Sequence, residues 1–256
     1  MSTSTRTGTR TATGRAGEQG GGRTGRMVSG LAVALGCVLF LGGFVWGALV
    51  YRPYTVPTGS MTPTVDAGDK ILAQRIDGSE VRRGDVVVFT DPLWGDVPMV
   101  KRVVAVGGDK VACCDKQGRL TVDGKPVDEP YRLDTGSPAS PTSFSATVPR
   151  GNLFMMGDNR ATSEDSRFRL GDAANGSVPR STVSARVDGV VWPFGRAGMV
   201  DRTGAFAAAA LPGDGPSDPG PLRTVGVAIA AGVVLIFAGA AYGPVADRAR
   251  RRRAAR

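Results

Sequence analysis

An apolar segment near the N-terminus, Val28–Val50, contains no charged residue and limits the folds open to this chain. A helix needs about 20 apolar residues to cross the ~30 Å of hydrocarbon in a bilayer, and this segment is long enough. A cleaved signal peptide is the alternative interpretation. Its apolar core usually has only ~7–15 residues, and no clear small-x-small cleavage site follows before Tyr51. We therefore predict a transmembrane helix over 28–50.

A second apolar segment, Val225–Gly243, is shorter and rich in Gly and Ala. It fits either a second transmembrane helix or a buried helix of a soluble domain. Arginines flank the first segment on its N-terminal side and the second on its C-terminal side, so the positive-inside rule places both chain ends in the cytoplasm. We predict a disordered basic cytoplasmic tail at 1–27, a span at 28–50, an external domain at 51–200, a linker at 201–224, a second span at 225–243 and a basic cytoplasmic tail at 244–256.

The formal net charge of +9 first suggests a nucleic-acid partner. The excess of arginine lies in the two tails, however, while the region between the apolar segments has nearly equal numbers of basic and acidic residues. A nucleic-acid-binding domain concentrates positive charge on the folded face that meets phosphate. The distribution therefore argues against a nucleic-acid partner and favours a lipid bilayer.

Between the two apolar segments the pattern is one of short Val-, Ile- and Phe-rich runs separated by Gly-Asp, Asp-Gly or Pro, which is typical of β-strands. No long window has helical periodicity. The clearest hairpin is RLTVDGKPV, with Asp123-Gly124 at its turn. The segment 134–150 is rich in Ser, Thr and Pro and is expected to be a loop. The predicted fold class is mostly β, with one N-terminal and one C-terminal transmembrane helix.

Five hydroxyl side chains lie in TVPTGSMTPTV, Thr55–Val65, just beyond the first apolar segment. A serine becomes a nucleophile only when a neighbouring base accepts its proton. The chain contains no histidine, which excludes a Ser-His-Asp triad. The remaining strong base is a lysine whose amine is kept neutral by burial.

Lys101 is the best candidate for such a base, because it lies in the apolar run VPMVKRVVAV. In a strand its side chain shares a face with Met99 and Val103, while Arg102 points to the other face. The alternative is an ordinary strand-edge lysine whose ammonium reaches water.

The adjacent Cys113 and Cys114 are not assumed to pair. Without histidine or a Cys-x-x-Cys motif, we predict no metal and no cofactor.

A dense polar cluster in FMMGDNRATSEDSRF, 154–168, follows the four apolar residues 153–156. It contains Ser163, Asp165 and Arg167, and the last two can form a structural ion pair. Such groups can also satisfy a buried amine. A solvated turn explains this stretch equally well when it is taken alone.

Taken together, these stretches resemble the type I signal peptidases, membrane-anchored Ser/Lys proteases that remove signal peptides from exported proteins. The resemblance covers the region from Tyr51 to about Val200, and an extra C-terminal span is similar to that of some Gram-positive members. The motifs that carry it are PTGSMTP, GDVVVF, VKRVVAVGGD, GDNRATSEDSR and VDGVVWPFG, at 57–63, 84–89, 100–109, 157–167 and 187–195.

The resemblance implies a role for each matching residue. Ser60 matches the nucleophile and Lys101 the general base, and Ser163 matches the hydroxyl that orients the lysine. Asp165 and Arg167 match the supporting ion pair. The oxyanion hole uses the backbone N–H of Ser60 and a side-chain hydroxyl two residues earlier, which here is Thr58, where many members have Ser.

The resemblance further implies an endopeptidase of the cell membrane, with its catalytic domain on the external side, that cleaves secretory preproteins after small-x-small sites. Three other interpretations remain. A self-cleaving repressor would need a DNA-binding domain, which the two apolar segments replace. A catalytically silent membrane-anchored scaffold is disfavoured by the presence of both Ser60 and Lys101. A peptidase specialised for a narrow set of precursors would have the same residues.

Overall fold

The computed structural model describes residues 20–212 and 217–254 of the 256-residue chain. They belong to two compact units, one formed by the chain's two terminal segments and the other by residues 46–223. The predicted tail at 1–27 falls largely outside the described residues.

The first unit is a pair of helices, α1 (Gly20–Val50) and α3 (Leu222–Ala254). Both contain a stretch long and apolar enough to cross a membrane, at Gly25–Val50 and Leu222–Tyr242. The first helix therefore begins before the predicted position, and residues 20–27, predicted to be disordered, are helical. Helix α3 likewise continues into the predicted basic tail.

The two helices of this unit pack through small residues. A Cβ atom added to Gly36 would meet the backbone of Gly232 and the side chain of Ile236 within 3 Å. The Ser29 hydroxyl donates to the carbonyl of Gly239 at 2.6 Å. Small residues let helix backbones approach closely, as is common between transmembrane helices.

The second unit is built from antiparallel strands, which confirms the mostly β prediction. One sheet has the order β1-β2-β11-β3-β4-β9-β10, with β12 also paired to β11, and the other has the order β7-β6-β5-β8. The strands β1 to β12 are Tyr51–Thr55, Lys70–Arg75, Val86–Phe89, Met99–Val106, Lys110–Cys113, Leu120–Val122, Lys125–Val127, Phe144–Thr147, Asn152–Met156, Val178–Pro179, Val183–Trp192 and Gly198–Met199.

Local sequence explains several of these elements. The hairpin of β6 and β7 turns at Asp123 and Gly124, whose φ angles of 51° and 75° are those of the tight turn that Asp-Gly favours. Strand β3 is buried throughout, as expected for an uninterrupted Val-Val-Val-Phe run. Among the described residues between β1 and β12, the helical segments are short 3-10 turns, in agreement with the absence of helical periodicity.

Two segments are more ordered than the sequence suggested. The expected loop 134–150 contains strand β8, in which Phe144 and Ala146 are buried and the residues between and after them are exposed. Its Ser/Thr-rich composition hides this period-two pattern. The expected linker 201–224 contains a short helix, α2 (Ala205–Ala208), and packs Phe206 and Leu211 into the core of the smaller sheet.

Strand β4 is the element that positions the site. Its first half, up to Arg102, pairs with β3, and β9 pairs with it only from Arg102 onward. The edge of Met99–Lys101 that faces away from β3 is therefore not occupied by β9. Adjacent Cys113 and Cys114, at the end of β5, are joined by a disulfide.

Candidate active site

The segment after β1 carries the candidate nucleophile. Val56 fixes its start, since its N–H donates to Asp69 and its carbonyl accepts from Gly68. Thr58 is extended, and a 3-10 turn then covers Gly59–Met61. Met61 is fully buried. Because Met61 anchors the turn in the core, the adjacent half-buried Ser60 is held at the surface of the core with little freedom to move.

Lys101 points at this serine from strand β4. Its Nζ donates to Ser60 Oγ at 2.8 Å, and the lysine is only 5% exposed. Of the two residues predicted to share its face, Val103 belongs to the buried apolar cluster on that side of the sheet and Met99 is partly buried against it. The structure therefore brings together the two residues predicted to be nucleophile and base, although 41 positions separate them in sequence.

The pKa of Lys101 is lowered from its ordinary value, chiefly because burial penalises the ammonium form. The carboxylate of Asp165 opposes this shift, the guanidinium of Arg167 adds to it, and the carboxylates of Glu164 and Asp158 oppose it. Burial dominates these opposing charges. A lysine in this environment gives up its proton at a lower pH than a solvated one, which is the property a general base needs.

Thr58 lies on the open side of the serine. Its Oγ1 donates to Ser60 Oγ at 3.3 Å. Both hydroxyls therefore face the same space. A hydroxyl in this position can reach an oxygen that is bonded to the carbon under attack by Ser60.

The ion pair of Asp165 and Arg167 lies close enough to Lys101 for both charges to act on its amine. Arg167 Nε and Nη2 donate to the two Asp165 oxygens, each at 2.8 Å, and the carboxylate is fully buried. Asp165 Oδ2 also accepts the N–H of Gly157 at 3.0 Å. The pair therefore ties the end of β9 to the polar loop that follows it.

Ser163 is buried next to this pair, but its Oγ has no hydrogen-bond partner in the structure. It does not bond to Lys101 Nζ here, so its predicted role in orienting the lysine stays a prediction. Gly157 explains why Ser163 can lie so close to the nucleophile. A Cβ on Gly157 would overlap both the Ser163 side chain and the carbonyl oxygen of Ser60.

A groove of about 480 Å³ runs past Ser60 and Lys101. Its two long walls come from the segment before Ser60 and from the start of β4, and Thr162 and Glu164 close a third side. Apart from Lys101 and Glu164, the lining carries no charged side chain. A larger cavity, of about 630 Å³, lies between Arg119, Arg132 and helix α2 and is not lined by Ser60 or Lys101.

Two further contacts around the site were not anticipated from the sequence. Arg102 Nε and Nη2 donate to the oxygens of Asp158 at 2.8 and 2.7 Å, and both side chains are buried. Asn159 reaches the backbone of the nucleophile segment. Arg102, Asp158 and Asn159 all lie within the motifs given above, but the spacing of these residues in the sequence does not predict their contacts.

The described residues contain no cluster of three or more Cys, Asp or Glu side chains placed to hold a metal.

Comparison with known proteins places this geometry in context. The family model described as "Signal peptidase, peptidase S26" matches residues 26–192. A protein named probable signal peptidase I from Mycobacterium leprae is 36% identical over 214 residues, covering 61% of this chain and 74% of the relative. A signal peptidase I of Mycobacterium tuberculosis is 34% identical over 208 residues, with 61% and 70% covered. A signal peptidase I of Bacillus caldolyticus is 34% identical over 158 residues, with 57% and 81% covered.

Proposed function

The chain belongs to the signal peptidase family, peptidase S26, and we propose that it cleaves the signal peptides of secretory preproteins with Ser60 as nucleophile and Lys101 as general base. The observation that carries this proposal is the 2.8 Å contact between Ser60 Oγ and the buried amine of Lys101. With no histidine in the chain, Lys101 is the base whose position and lowered pKa suit the task.

In the first step, the neutral Lys101 amine accepts the hydroxyl proton of Ser60 while Ser60 Oγ attacks the scissile carbonyl carbon. The carbonyl oxygen becomes an oxyanion, which accepts hydrogen bonds from the Thr58 hydroxyl and the backbone N–H of Ser60. The Lys101 ammonium then gives its proton to the leaving amine. The mature chain departs with a free N-terminus, and the signal peptide remains as an ester on Ser60.

In the second step, Lys101, neutral again, takes a proton from water as the water oxygen attacks the ester carbonyl. The same donors stabilise the second oxyanion. Collapse of this intermediate breaks the bond to Ser60 Oγ, which recovers its proton from Lys101. The signal peptide leaves with a free carboxylate, and the enzyme returns to its starting state.

The groove suggests how the substrate is held. The edge of Met99–Lys101 that β9 leaves free can accept an extended peptide as an added strand, with main-chain hydrogen bonds supplying affinity. The facing wall is the extended segment around Thr58. The family resemblance adds a preference for small side chains at the first and third positions before the cleaved bond.

The two terminal helices support a location in the cell membrane. We propose that both cross the bilayer, with the chain ends in the cytoplasm and residues 51–200 on the external side, because arginines precede the first apolar segment and follow the second. A signal peptide occupies the same bilayer with its apolar core, which brings its cleavage site to the external surface.

Cleavage of a labelled preprotein by the detergent-solubilised full chain tests this proposal. Ser60→Ala and Lys101→Met should each abolish cleavage, while the matched controls Ser145→Ala and Lys110→Met, at exposed positions of the smaller sheet, should cleave like the wild type. The new N-terminus should follow a small-x-small sequence. Unaltered cleavage by a folded Lys101→Met variant would refute the proposed base, and an inert wild type would favour a scaffold.

A further inference from the structure

Asn159 makes two hydrogen bonds to the segment that carries the nucleophile. Its side-chain Nδ2 donates to the carbonyl oxygen of Gly59 at 3.2 Å. Its backbone N–H donates to the carbonyl oxygen of Ser60 at 3.1 Å. The two peptide groups on either side of the nucleophilic residue are thus both held by one residue that lies about a hundred positions later in the chain.

The first of these bonds acts on the group expected to bind the oxyanion. The carbonyl of Gly59 and the N–H of Ser60 belong to the same planar trans peptide, so they point in opposite directions. A donor that fixes the carbonyl oxygen therefore fixes the direction of the N–H. A hydrogen bond accepted by the carbonyl also polarises the amide and strengthens its N–H as a donor.

A second donor shares the Gly59 carbonyl, since the backbone N–H of Thr62 lies 3.2 Å from the same oxygen. That bond belongs to the turn itself and moves with it. Asn159, in contrast, belongs to the loop after β9, so its contact fixes the Gly59 carbonyl relative to a different segment of the chain.

Asn159 is itself held in place by the residues around it, so it can fix the position of the turn. Its own carbonyl accepts the N–H groups of Ser163 and Thr162 at 3.1 and 3.3 Å, which closes the turn that follows it. Its neighbours in the chain are buried and paired: Asp158 with Arg102, and Arg160 with Glu129. A half-buried amide between two buried ion pairs has little freedom to move.

We propose that Asn159 is a positioning residue, which holds the Gly59–Ser60 peptide so that its N–H points at the developing oxyanion. This inference rests on the proposed function of Ser60. Asn159 itself touches neither the substrate nor the transferred proton. Its contribution should appear in the chemical step and not in substrate binding.

Two substitutions separate this role from a packing role. Asn159→Ala removes the donor and the side-chain volume, whereas Asn159→Asp keeps the shape but places a carboxylate oxygen against the Gly59 carbonyl. Removing a direct oxyanion donor typically reduces kcat by ~10²–10³. Because Asn159 acts through that donor, we expect Asn159→Ala to reduce kcat by about 10- to 100-fold, with KM changed by less than about threefold.

Asn159→Asp should be slower than Asn159→Ala, since it repels the carbonyl that the native residue holds. A packing role predicts the reverse order. The kcat values are compared on the alkaline plateau of the pH profile, because a new carboxylate near Lys101 also raises the pKa of the lysine. Asn152→Asp is the matched control, since Asn152 Nδ2 also donates to an oxygen, that of Ser177, but away from the site. It should retain wild-type kcat.

Binding gives an independent readout. In a Ser60→Ala background, Asn159→Ala should leave the Kd for an intact preprotein unchanged, because the ground state does not use the oxyanion donor. An unchanged kcat in Asn159→Ala, or activity in Asn159→Asp closer to the wild type than in Asn159→Ala, would overturn the inference. A weaker Kd that accounts for the whole loss would also overturn it. The proposed function fails separately, if Ser60→Ala or Lys101→Met still cleaves.

Discussion

Asp158→Asn should destabilise residues 46–223 more than any exposed carboxylate substitution in the same unit. The native carboxylate accepts two hydrogen bonds from Arg102, at 2.8 and 2.7 Å, and a third from the Thr64 hydroxyl at 2.5 Å. The side chains of Arg102 and Asp158 are 1% and 0% exposed. Asparagine keeps the shape but loses the charge, so a buried guanidinium remains without its counter-ion.

The expected loss of unfolding free energy is about 3–5 kcal/mol, the usual effect of removing one partner of a buried ion pair. The ring of Tyr131, 4.0 Å from the Arg102 guanidinium, and the carbonyl of Gly84 remain as partners and favour the lower end of this range. In a unit of this size, each kcal/mol lowers Tm by about 2–4 °C, so Tm should fall by about 6–20 °C.

Thermal unfolding of the detergent-solubilised chain, followed by circular dichroism in the near ultraviolet, measures this shift. Asp172→Asn is the matched control, because its contact with Arg169 is 4.0 Å long and both side chains are partly exposed. It should leave Tm unchanged. The double variant Arg102→Met/Asp158→Asn removes the stranded charge and should be more stable than Asp158→Asn alone. A Tm for Asp158→Asn within 2 °C of the wild type, or a double variant less stable than the single one, would refute this reasoning.

Three further predictions concern the site. First, kcat should rise with pH along an acid limb, because only neutral Lys101 can act as base. The apparent pKa of this limb should lie below the ordinary lysine value, because burial lowers the pKa of Lys101. A limb near the ordinary value would contradict this effect of burial. Second, because the folded-state pKa of Lys101 is lowered, the unfolded chain binds more protons between that pKa and the unfolded value of ~10.4. Lys101→Met should therefore raise Tm at neutral pH, and this gain should shrink as the pH rises from the lowered pKa to ~10.4, whereas a pH-independent gain would count against the linkage. Third, Gly157→Ala should lower the free energy of unfolding by ~1–3 kcal/mol in a urea titration and reduce kcat in the cleavage assay, because its methyl group would overlap the Ser163 side chain and the Ser60 carbonyl oxygen. Gly171→Ala, whose methyl group would lie in open space, should change neither quantity.

Much of the fold follows from local sequence patterns. The length and lack of charge of the two apolar segments predict the two long helices, and the alternation of short apolar runs with turn residues predicts a β-rich unit. The Asp123-Gly124 turn follows from the dipeptide itself. Strand β8 was missed because Ser and Thr obscure the alternation of Phe144 and Ala146, which becomes clear only once the partner strand is known.

The chemistry of the candidate site was determined in part by composition. A hydroxyl nucleophile in a chain without histidine requires another base, and the apolar neighbours of Lys101 single it out as the candidate among the five lysines. What these patterns leave open is whether the amine is buried and what it touches. Those properties depend on contacts between segments 41 and more positions apart.

The contacts that hold the site together depend on the three-dimensional fold. The sequence places Arg102 opposite Lys101 across the strand, and the fold then supplies Asp158 as its buried partner. It likewise brings Asn159 to the peptide of Ser60 and leaves the Ser163 hydroxyl without a hydrogen-bond partner among the described residues. Hydrophobic periodicity specifies which face of a strand is buried, since that depends on neighbouring residues alone. A hydrogen bond between distant loops depends on the register of every strand between them, and no short stretch of sequence contains that information.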